Sequence, residues 1–224
     1  MTPLYQFLTE LAANNNREWF HANKPRYDIL RAQWLDQLAA LIALMAEWDP
    51  ALASVTPAQA AHRIYRDTRF SSDKTPYKTY FSATIATPRD RRRHLGYYIE
   101  LGPAINADGQ CAAGLYGGIW CPESHELAKL RHAIVDNIEE WDQIVTEPQV
   151  CHYFPGFIGD ALRTIPKGWD RNHPQAHWLR YKEFGRMCRC NPSYFATDAW
   201  IAESARRFRL LQPMIRFLSY SLDE

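Results

Sequence analysis

The side chains best suited to chemistry lie between His62 and Tyr80, in a basic segment that reads HRIYRDTRFSSDKTPYKTY. The segment contains five cations and two acids: Arg63, Arg66, Arg69, Lys74, Lys78, Asp67 and Asp73. Its local charge is therefore +3, whereas the whole chain has a formal net charge of +1, so the remainder sums to −2. Arginine binds planar oxyanions through paired N–H groups, and lysine adds a mobile ammonium group. The composition predicts a site for a phosphate or carboxylate group.

Aromatic residues such as Phe70 and Tyr77 alternate with these charges, which indicates that the site is partly buried. A cation held near apolar surface usually has a partner there. Asp67 is expected to stay ionised beside a neighbouring arginine and to fix that guanidinium in one orientation. Tyr77 or Tyr98 would supply a hydroxyl group to the ligand.

The stretch around Arg17 adds one more candidate for the same site. Arg17 follows three asparagines, and the stretch would reach the basic segment and complete a polar pocket. Asn14 and Asn15 are better explained as residues that cap or terminate helices. Arg17 is therefore kept as a ligand-binding candidate, and the two asparagines are not.

Three functions are compatible with the basic segment. The first is binding of a small phosphorylated or carboxylated ligand, with or without an enzymatic reaction on it. The second is nucleic-acid binding, in which the run Arg89–Arg93 would add contacts to phosphates. The third is a structural network in which the charges pair with one another and bind no ligand. The excess of cations over acids favours the first function.

The candidate catalytic residues are Asp67 and His173. The lowered pKa expected of Asp67 among arginines suits orientation better than proton donation. His173, at the start of a predicted helix, is the candidate general acid or base, although a capping or core histidine is the simpler explanation. Four residues could in principle bind zinc: His173, His177, Cys188 and Cys190. The two-residue gap that is typical of thiolate ligands is missing between the two cysteines, which argues against a zinc site. The sequence predicts no metal and no cofactor.

Five stretches of sequence resemble a known family. They are Asn14–Tyr27 (NNNREWFHANKPRY), Arg63–Thr79 (RIYRDTRFSSDKTPYKT), Gly96–Leu101 (GYYIEL), Gly114–Trp120 (GLYGGIW) and Pro166–Pro174 (PKGWDRNHP). They are spread along nearly the whole chain, which resembles a family described only as a domain of unknown function. The resemblance implies one full-length domain without an established activity, and it assigns no catalytic residues.

Composition places the chain among ordinary globular proteins. Its 224 residues are 23% charged and 46% hydrophobic, as expected for a single domain over residues 1–224. A net charge near zero argues against a general polyanion binder. The five cysteines form no disulfide pattern, and the N-terminal sequence lacks the layout of a signal peptide, so we expect a cytoplasmic protein. The longest apolar run, Leu38–Ala46, is too short to cross a membrane. The sequence does not indicate an oligomeric state.

The sequence on either side of the basic segment predicts an α+β fold. Apolar stripes indicate helices that start at Thr2 and Lys24, run from Ser124 to Val145, and end the chain with a kink or restart at Pro213. Alternating residues predict five strands: His62–Arg66, Thr79–Thr87, Leu95–Leu101, Gln110–Tyr116 and Lys182–Cys190. Short connections, including a hairpin tip at Arg89–Arg93, favour antiparallel pairing. The expected architecture is a mostly antiparallel central sheet covered by N-terminal, central and C-terminal helices.

Overall fold

The computed structural model describes residues 2–103 and 113–224, and over these ranges the chain has the predicted α+β fold. The beginning of the predicted strand Gln110–Tyr116 lies outside the described residues, as does Cys111.

Three α-helices open the chain: α1 (Thr2–Ala13), α2 (Arg17–Ala22) and α3 (Lys24–Ala46). A 3-10 helix (Pro50–Ser54) and the short helix α4 (Pro57–Ala60) follow. The predicted stripe of α1 is buried, because Phe7, Leu8 and Leu11 are fully enclosed. Asn16 begins α2 as a helix cap, and its side chain accepts a hydrogen bond from the Trp19 amide at 2.9 Å.

The sheet has four antiparallel strands in the order β1-β2-β3-β4. The strands and the helix that joins the first two are β1 (Phe81–Ile85), α5 (Pro88–Arg92), β2 (Leu95–Leu101), β3 (Gly114–Ile119) and β4 (Phe184–Arg189). Residues at every second position of β2, Leu95, Tyr97 and Ile99, are buried, as the alternation predicts. The opposite side of this strand carries Tyr98 and Glu100, which are half-buried.

The remaining helices belong to the second half of the chain. They are α6 (Ser124–Asp136), α7 (Ile138–Val145), α8 (Pro148–Tyr153), α9 (Ala176–Arg180), a 3-10 helix (Pro192–Phe195) and α10 (Ala199–Asp223). The largest side chain on α7, Trp141, is fully buried, as is Trp200 on α10. Both tryptophans therefore pack as core residues.

Four predictions about local structure were wrong in whole or in part. His62–Arg66 is not a strand, because the only pairing described there is through isolated bridges, Ala61 with Ala83 and Tyr65 with Tyr77. The Arg89–Arg93 run does connect the adjacent strands β1 and β2, but it is not a simple turn: Thr87 accepts a hydrogen bond from the Asp90 amide and begins helix α5 there. The predicted helix Ser124–Val145 is two helices separated at Asn137. Helix α10 continues through Pro213, so the predicted restart there was wrong, while the kink stays a prediction.

The chain divides into two compact units. The first comprises the described residues of 1–85, 98–115 and 189–206, and the second those of 86–97, 116–188 and 207–224. In the first unit, Phe20 and Trp34 pack against residues of α3 and β1. In the second, Trp141 contacts Trp178, Phe184 and Phe217. The expectation of a single domain stays a prediction.

One helix of the described residues, α3, is long and apolar enough to cross a membrane by length and composition alone, with 23 residues and a mean hydropathy of 1.3 over an 18-residue window. A core helix of a soluble protein passes the same test. Seven residues of α3 are buried, including Trp34, Leu38 and Met45. A single helix of this length and composition is weak evidence for a membrane span.

Candidate anion-binding site

A cavity of about 560 Å³ lies in the first unit beside the basic segment. Its walls are formed by Ala12, Asn15, Arg66, Asp67, Asp73, Thr75, Tyr77, Lys78, Thr79 and Tyr80. Ligand pockets for small molecules occupy about 300–1,000 Å³, so the volume suits a metabolite. Eight of the ten wall residues come from the basic segment, and the other two come from the end of α1 and the turn that follows it.

The rear wall is built around Tyr77, which is 3% exposed. Its ring stacks on Phe20 of α2 with centroids 4.0 Å apart and an interplanar angle of 17°. The amide side chain of Asn15 donates to the Tyr77 carbonyl at 2.9 Å and accepts from the Tyr77 amide at 3.1 Å. This pair of hydrogen bonds satisfies both backbone groups of Tyr77, as a neighbouring strand would. Burial raises the pKa of the Tyr77 hydroxyl.

A second wall is formed by Arg66, Asp73 and Thr75. The Arg66 guanidinium donates to the Asp73 carboxylate and to the hydroxyl and carbonyl oxygens of Thr75, the last at 3.2 Å. The Thr75 amide also donates to Asp73, at 2.9 Å. These hydrogen bonds, led by the one from the Thr75 amide and followed by that from Arg66, lower the pKa of Asp73 from 3.8 to about 2. Arg66 is thus held in one orientation at the cavity wall.

Asp67 also lines the cavity, and it orients an arginine as predicted. It accepts hydrogen bonds from Arg69 through both carboxylate oxygens, at 3.0 Å from Nε and 2.7 Å from Nη2. These bonds lower the pKa of Asp67. Arg69 itself is not part of the wall: its side chain is 76% exposed, and its guanidinium lies 5.7 Å from the ring centroid of Phe70.

Lys78 is the cation of the wall that forms no ion pair with a described residue. In the described part of the chain, no carboxylate oxygen lies within 4.0 Å of its ammonium group, and its side chain is half-buried. Its Nζ atom lies 5.8 Å from the ring centroid of Tyr80. Burial lowers the pKa of Lys78, and the positive charge of Arg63 lowers it further, whereas Glu100 acts in the opposite direction.

A polar pair on β2, Tyr98 and Glu100, influences Lys78 through the charge of Glu100. The Tyr98 hydroxyl donates to Glu100 Oε2 at 2.6 Å. Burial is the main cause that raises the pKa of Glu100, while the Tyr98 hydrogen bond and the charge of Lys78 oppose that shift. Burial also raises the pKa of Tyr98. The Tyr98 hydroxyl is therefore engaged by Glu100, and Tyr98 does not line the cavity.

The other predicted ligand-binding residues lie outside the cavity wall. Arg63 is exposed and forms no ion pair within the described ranges, while Lys74 is exposed and donates to the Thr68 carbonyl at 2.9 Å. Arg17 is exposed at the start of α2, although its charge influences the pKa of Tyr77. Of the predicted set, the structure brings Arg66, Asp67, Tyr77 and Lys78 together.

His173 belongs to the second unit, and no residue of the cavity wall comes from that unit. Its Nδ1 atom accepts a hydrogen bond from the Gln175 amide at 3.0 Å, and its ring contacts Trp169. The His173 side chain therefore has a local hydrogen bond, although Gln175 and not His173 is the N-cap residue of α9. As far as the structure describes the chain, no group of three or more histidine, cysteine or acidic residues could hold a metal ion.

The sequence did not single out Thr75, Tyr80 and Glu100 as residues of the site. For Asn15 a helix-end role was preferred to a contact with the basic segment, and the structure corrects this because its side-chain amide binds the backbone of Tyr77. Asn14 does bond within its own helix, to the Glu10 carbonyl at 3.0 Å. The one available signal for Glu100 was its place in GYYIEL, where alternation puts it on the same side of the strand as Tyr98.

The fold and site define an α+β protein with a polar cavity that is built mainly from one loop segment and has two cations and two acids in its wall. The family model "Conserved hypothetical protein (DUF2461)" matches residues 3–217, and the chain belongs to this family. The resemblance noted from the sequence, to a domain-of-unknown-function family, is thereby confirmed. No curated protein and no solved structure matches the chain.

Proposed function

We propose that this protein binds a small anionic ligand, phosphorylated or carboxylated, in the cavity formed by the basic segment. The observation that carries the proposal is Lys78: a half-buried cation at a cavity wall with no carboxylate within 4.0 Å among the described residues. Removing an ammonium group from water without a partner costs free energy. An anion from outside the chain would supply the missing partner.

Arg66 supplies a second contact for the same ligand. Its guanidinium is already oriented by Asp73 and Thr75. A guanidinium has five N–H donors, and the contacts described for Arg66 all involve Nη1, so donors remain for an oxyanion. A preoriented arginine loses little conformational entropy when it binds such a group.

The structural-network alternative explains part of the segment. Arg66 pairs with Asp73 and Arg69 pairs with Asp67, so both acids of the segment are used. The three remaining cations, Arg63, Lys74 and Lys78, have no carboxylate within ion-pair distance in the ranges that the structure describes. Of these three, Lys78 is the one at the cavity wall. The network therefore does not account for the residue on which the proposal rests.

A nucleic-acid ligand is the second candidate because of the exposed side chains on the same segment. Phe70 is 94% exposed, and Arg69 beside it is also largely exposed. Single-stranded nucleic acids bind proteins through stacking on aromatic rings together with contacts from basic residues. Affinity that falls steeply with salt and is indifferent to metabolites would select this candidate over a small anion.

The test is ligand-induced thermal stabilisation with a panel of phosphorylated and carboxylated metabolites. A ligand at 100 times its Kd stabilises the folded state by about 2.7 kcal/mol, which raises Tm by several degrees. The stabilisation is expected to be lost in Lys78→Met and kept in Lys74→Met, which removes an exposed lysine four residues away. A panel that never raises Tm, or equal losses in the two variants, would rule out the proposed site.

A further inference from the structure

Lys78 differs from the exposed lysines of the chain in its surroundings. Lys74 is exposed and donates to the Thr68 carbonyl, and Lys24 is paired with Asp28 at 2.6 Å. The Lys78 side chain has no hydrogen-bond acceptor among the described residues, and it lies at the wall of a cavity that holds space for a small molecule.

Compared with an exposed lysine, the surroundings of Lys78 shift its protonation equilibrium toward the neutral amine. Arg63 adds positive charge nearby, burial removes water, and both lower the pKa of Lys78. The carboxyl group of Glu100, whose charge acts in the opposite direction, is hydrogen-bonded to Tyr98, and burial raises its pKa. A lysine desolvated beside other cations is the environment in which an amine becomes a nucleophile.

We propose that Lys78 forms an imine with a carbonyl compound that carries a phosphate or carboxylate group. The inference rests on the proposed function, because the anionic group brings the compound into the cavity and Arg66 provides a fixed donor for it. The substrate class is therefore narrower than anions in general. It comprises phosphorylated aldehydes or ketones and 2-oxo acids.

The reaction needs no oxidant or further reactant. The lone pair of Nζ attacks the carbonyl carbon, and the carbonyl π electrons move to oxygen. Nζ gives up a proton and the oxygen takes one, which yields a carbinolamine. The hydroxyl group takes a second proton from water and leaves as water while the C=N bond forms. The resulting protonated imine keeps a positive charge at the position of Nζ, next to the anionic group of the ligand.

Borohydride trapping tests this inference. The full-length protein is incubated with pyruvate or with dihydroxyacetone phosphate, reduced with sodium borohydride, and digested for mass spectrometry. Borohydride delivers hydride to the imine carbon and leaves a stable secondary amine. The expected result is a reduced adduct on the peptide that contains Lys78, with little on Lys74 and none when the carbonyl compound is omitted.

Two variants separate the inference from the proposed function. Lys78→Arg keeps a cation at the wall but has no amine that can form an imine, so it should lose the adduct while inorganic phosphate still raises its Tm. Lys74→Arg should keep both the adduct on Lys78 and the increase in Tm with inorganic phosphate. An unlabelled wild-type protein that phosphate stabilises would overturn the imine and leave the anion site standing. Equal labelling of Lys74 and Lys78 would also overturn it, and absence of both labelling and stabilisation would remove the two proposals together.

Discussion

The two arginine-rich segments of this protein have the same local charge but different surroundings. The basic segment, with five cations and two acids, sums to +3, and Arg89–Arg93, with four arginines and one aspartate, also sums to +3. In the second segment, Arg89 and Arg93 both donate to Asp223, near the end of α10. In the basic segment, no acid from a distant part of the described chain comes within ion-pair distance of a cation.

The difference shows that a local excess of charge does not by itself indicate a ligand. Asp223 lies 134 residues from Arg89 in sequence. The hydrogen bond from Arg93 and the charges of the two arginines lower the pKa of Asp223, which therefore stays ionised as a neutralising partner. Glu100, the acid whose charge acts on Lys78, has a raised pKa. The contrast identifies the basic segment, and not Arg89–Arg93, as the candidate site.

The largest expected effect concerns the aromatic support of the basic segment. Phe20 is 1% exposed and stacks on Tyr77, so Phe20→Ala is expected to reduce the free energy of unfolding by about 3–5 kcal/mol. Phe70→Ala is the matched control: its ring is 94% exposed, and a change within about 0.5 kcal/mol is expected. Urea unfolding measures both. Equal losses in the two variants would contradict the assigned packing.

The next effect concerns the support of Arg89–Arg93. Asp90 is 8% exposed and accepts hydrogen bonds from the hydroxyls of Thr87 at 2.7 Å and Ser219 at 2.8 Å. Asp90→Ala should lower the free energy of unfolding by about 1.5–3 kcal/mol, the range for hydrogen bonds to a charged group. Arg92→Ala, at an exposed position of the same helix, should change it by less than about 0.5 kcal/mol. If Asp90→Ala left the free energy of unfolding unchanged, the hydrogen bonds of Asp90 would not stabilise the Arg89–Arg93 segment as described.

Asn15→Ala, in the first unit, should lower the free energy of unfolding by a similar or smaller amount than Asp90→Ala. It removes both hydrogen bonds to the backbone of Tyr77, which costs about 1–3 kcal/mol when the backbone groups are left unsatisfied. The variant should also weaken any ligand response, because Tyr77 and Lys78 are adjacent wall residues. Asn14→Ala, whose side chain bonds within α1, serves as the control in thermal unfolding. A larger loss in Asn14→Ala would reverse the assignment of the two asparagines.

The smallest effect is a pH dependence at Asp73. Its pKa falls from 3.8 to about 2 in the folded protein, so its charged form is favoured by folding. The stability it contributes is present above its unfolded pKa and is lost as pH falls through its folded pKa. Wild type and Asp73→Asn should therefore differ above pH 3.8 and converge toward about pH 2. Unfolding curves across this interval check the expectation, and parallel curves would contradict it.

Much of the fold follows from patterns along short stretches of sequence. The stripe of α1 and the alternation of β2 both depend on burial within a single element, and the structure confirms them. The strand predicted at His62–Arg66 was wrong because alternation cannot show whether a partner strand is present. The break at Asn137 was missed because apolar residues keep a helical spacing on both sides of it.

The sequence named several residues of the candidate site but did not predict the contacts that position them. Arg66, Asp67, Tyr77 and Lys78 reach the cavity because all four lie in one compact segment whose ends are held together. Asn15 could not be found in this way, since its partner Tyr77 lies 62 residues away and the contact is to backbone atoms. A hydrogen bond to the backbone depends on the path of the chain, and the residue type of the partner does not reveal it.

The amide pairing between Asn15 and Tyr77 makes one proton of this protein a reporter of the whole site. The Tyr77 N–H exchanges with deuterated solvent only when its hydrogen bond to the Asn15 side chain is broken. Breaking that bond requires the turn after α1 to separate from Tyr77, which precedes Lys78 in the cavity wall. Slow exchange at this amide, set against fast exchange at the exposed residues 72–74, would measure how often the cavity wall opens.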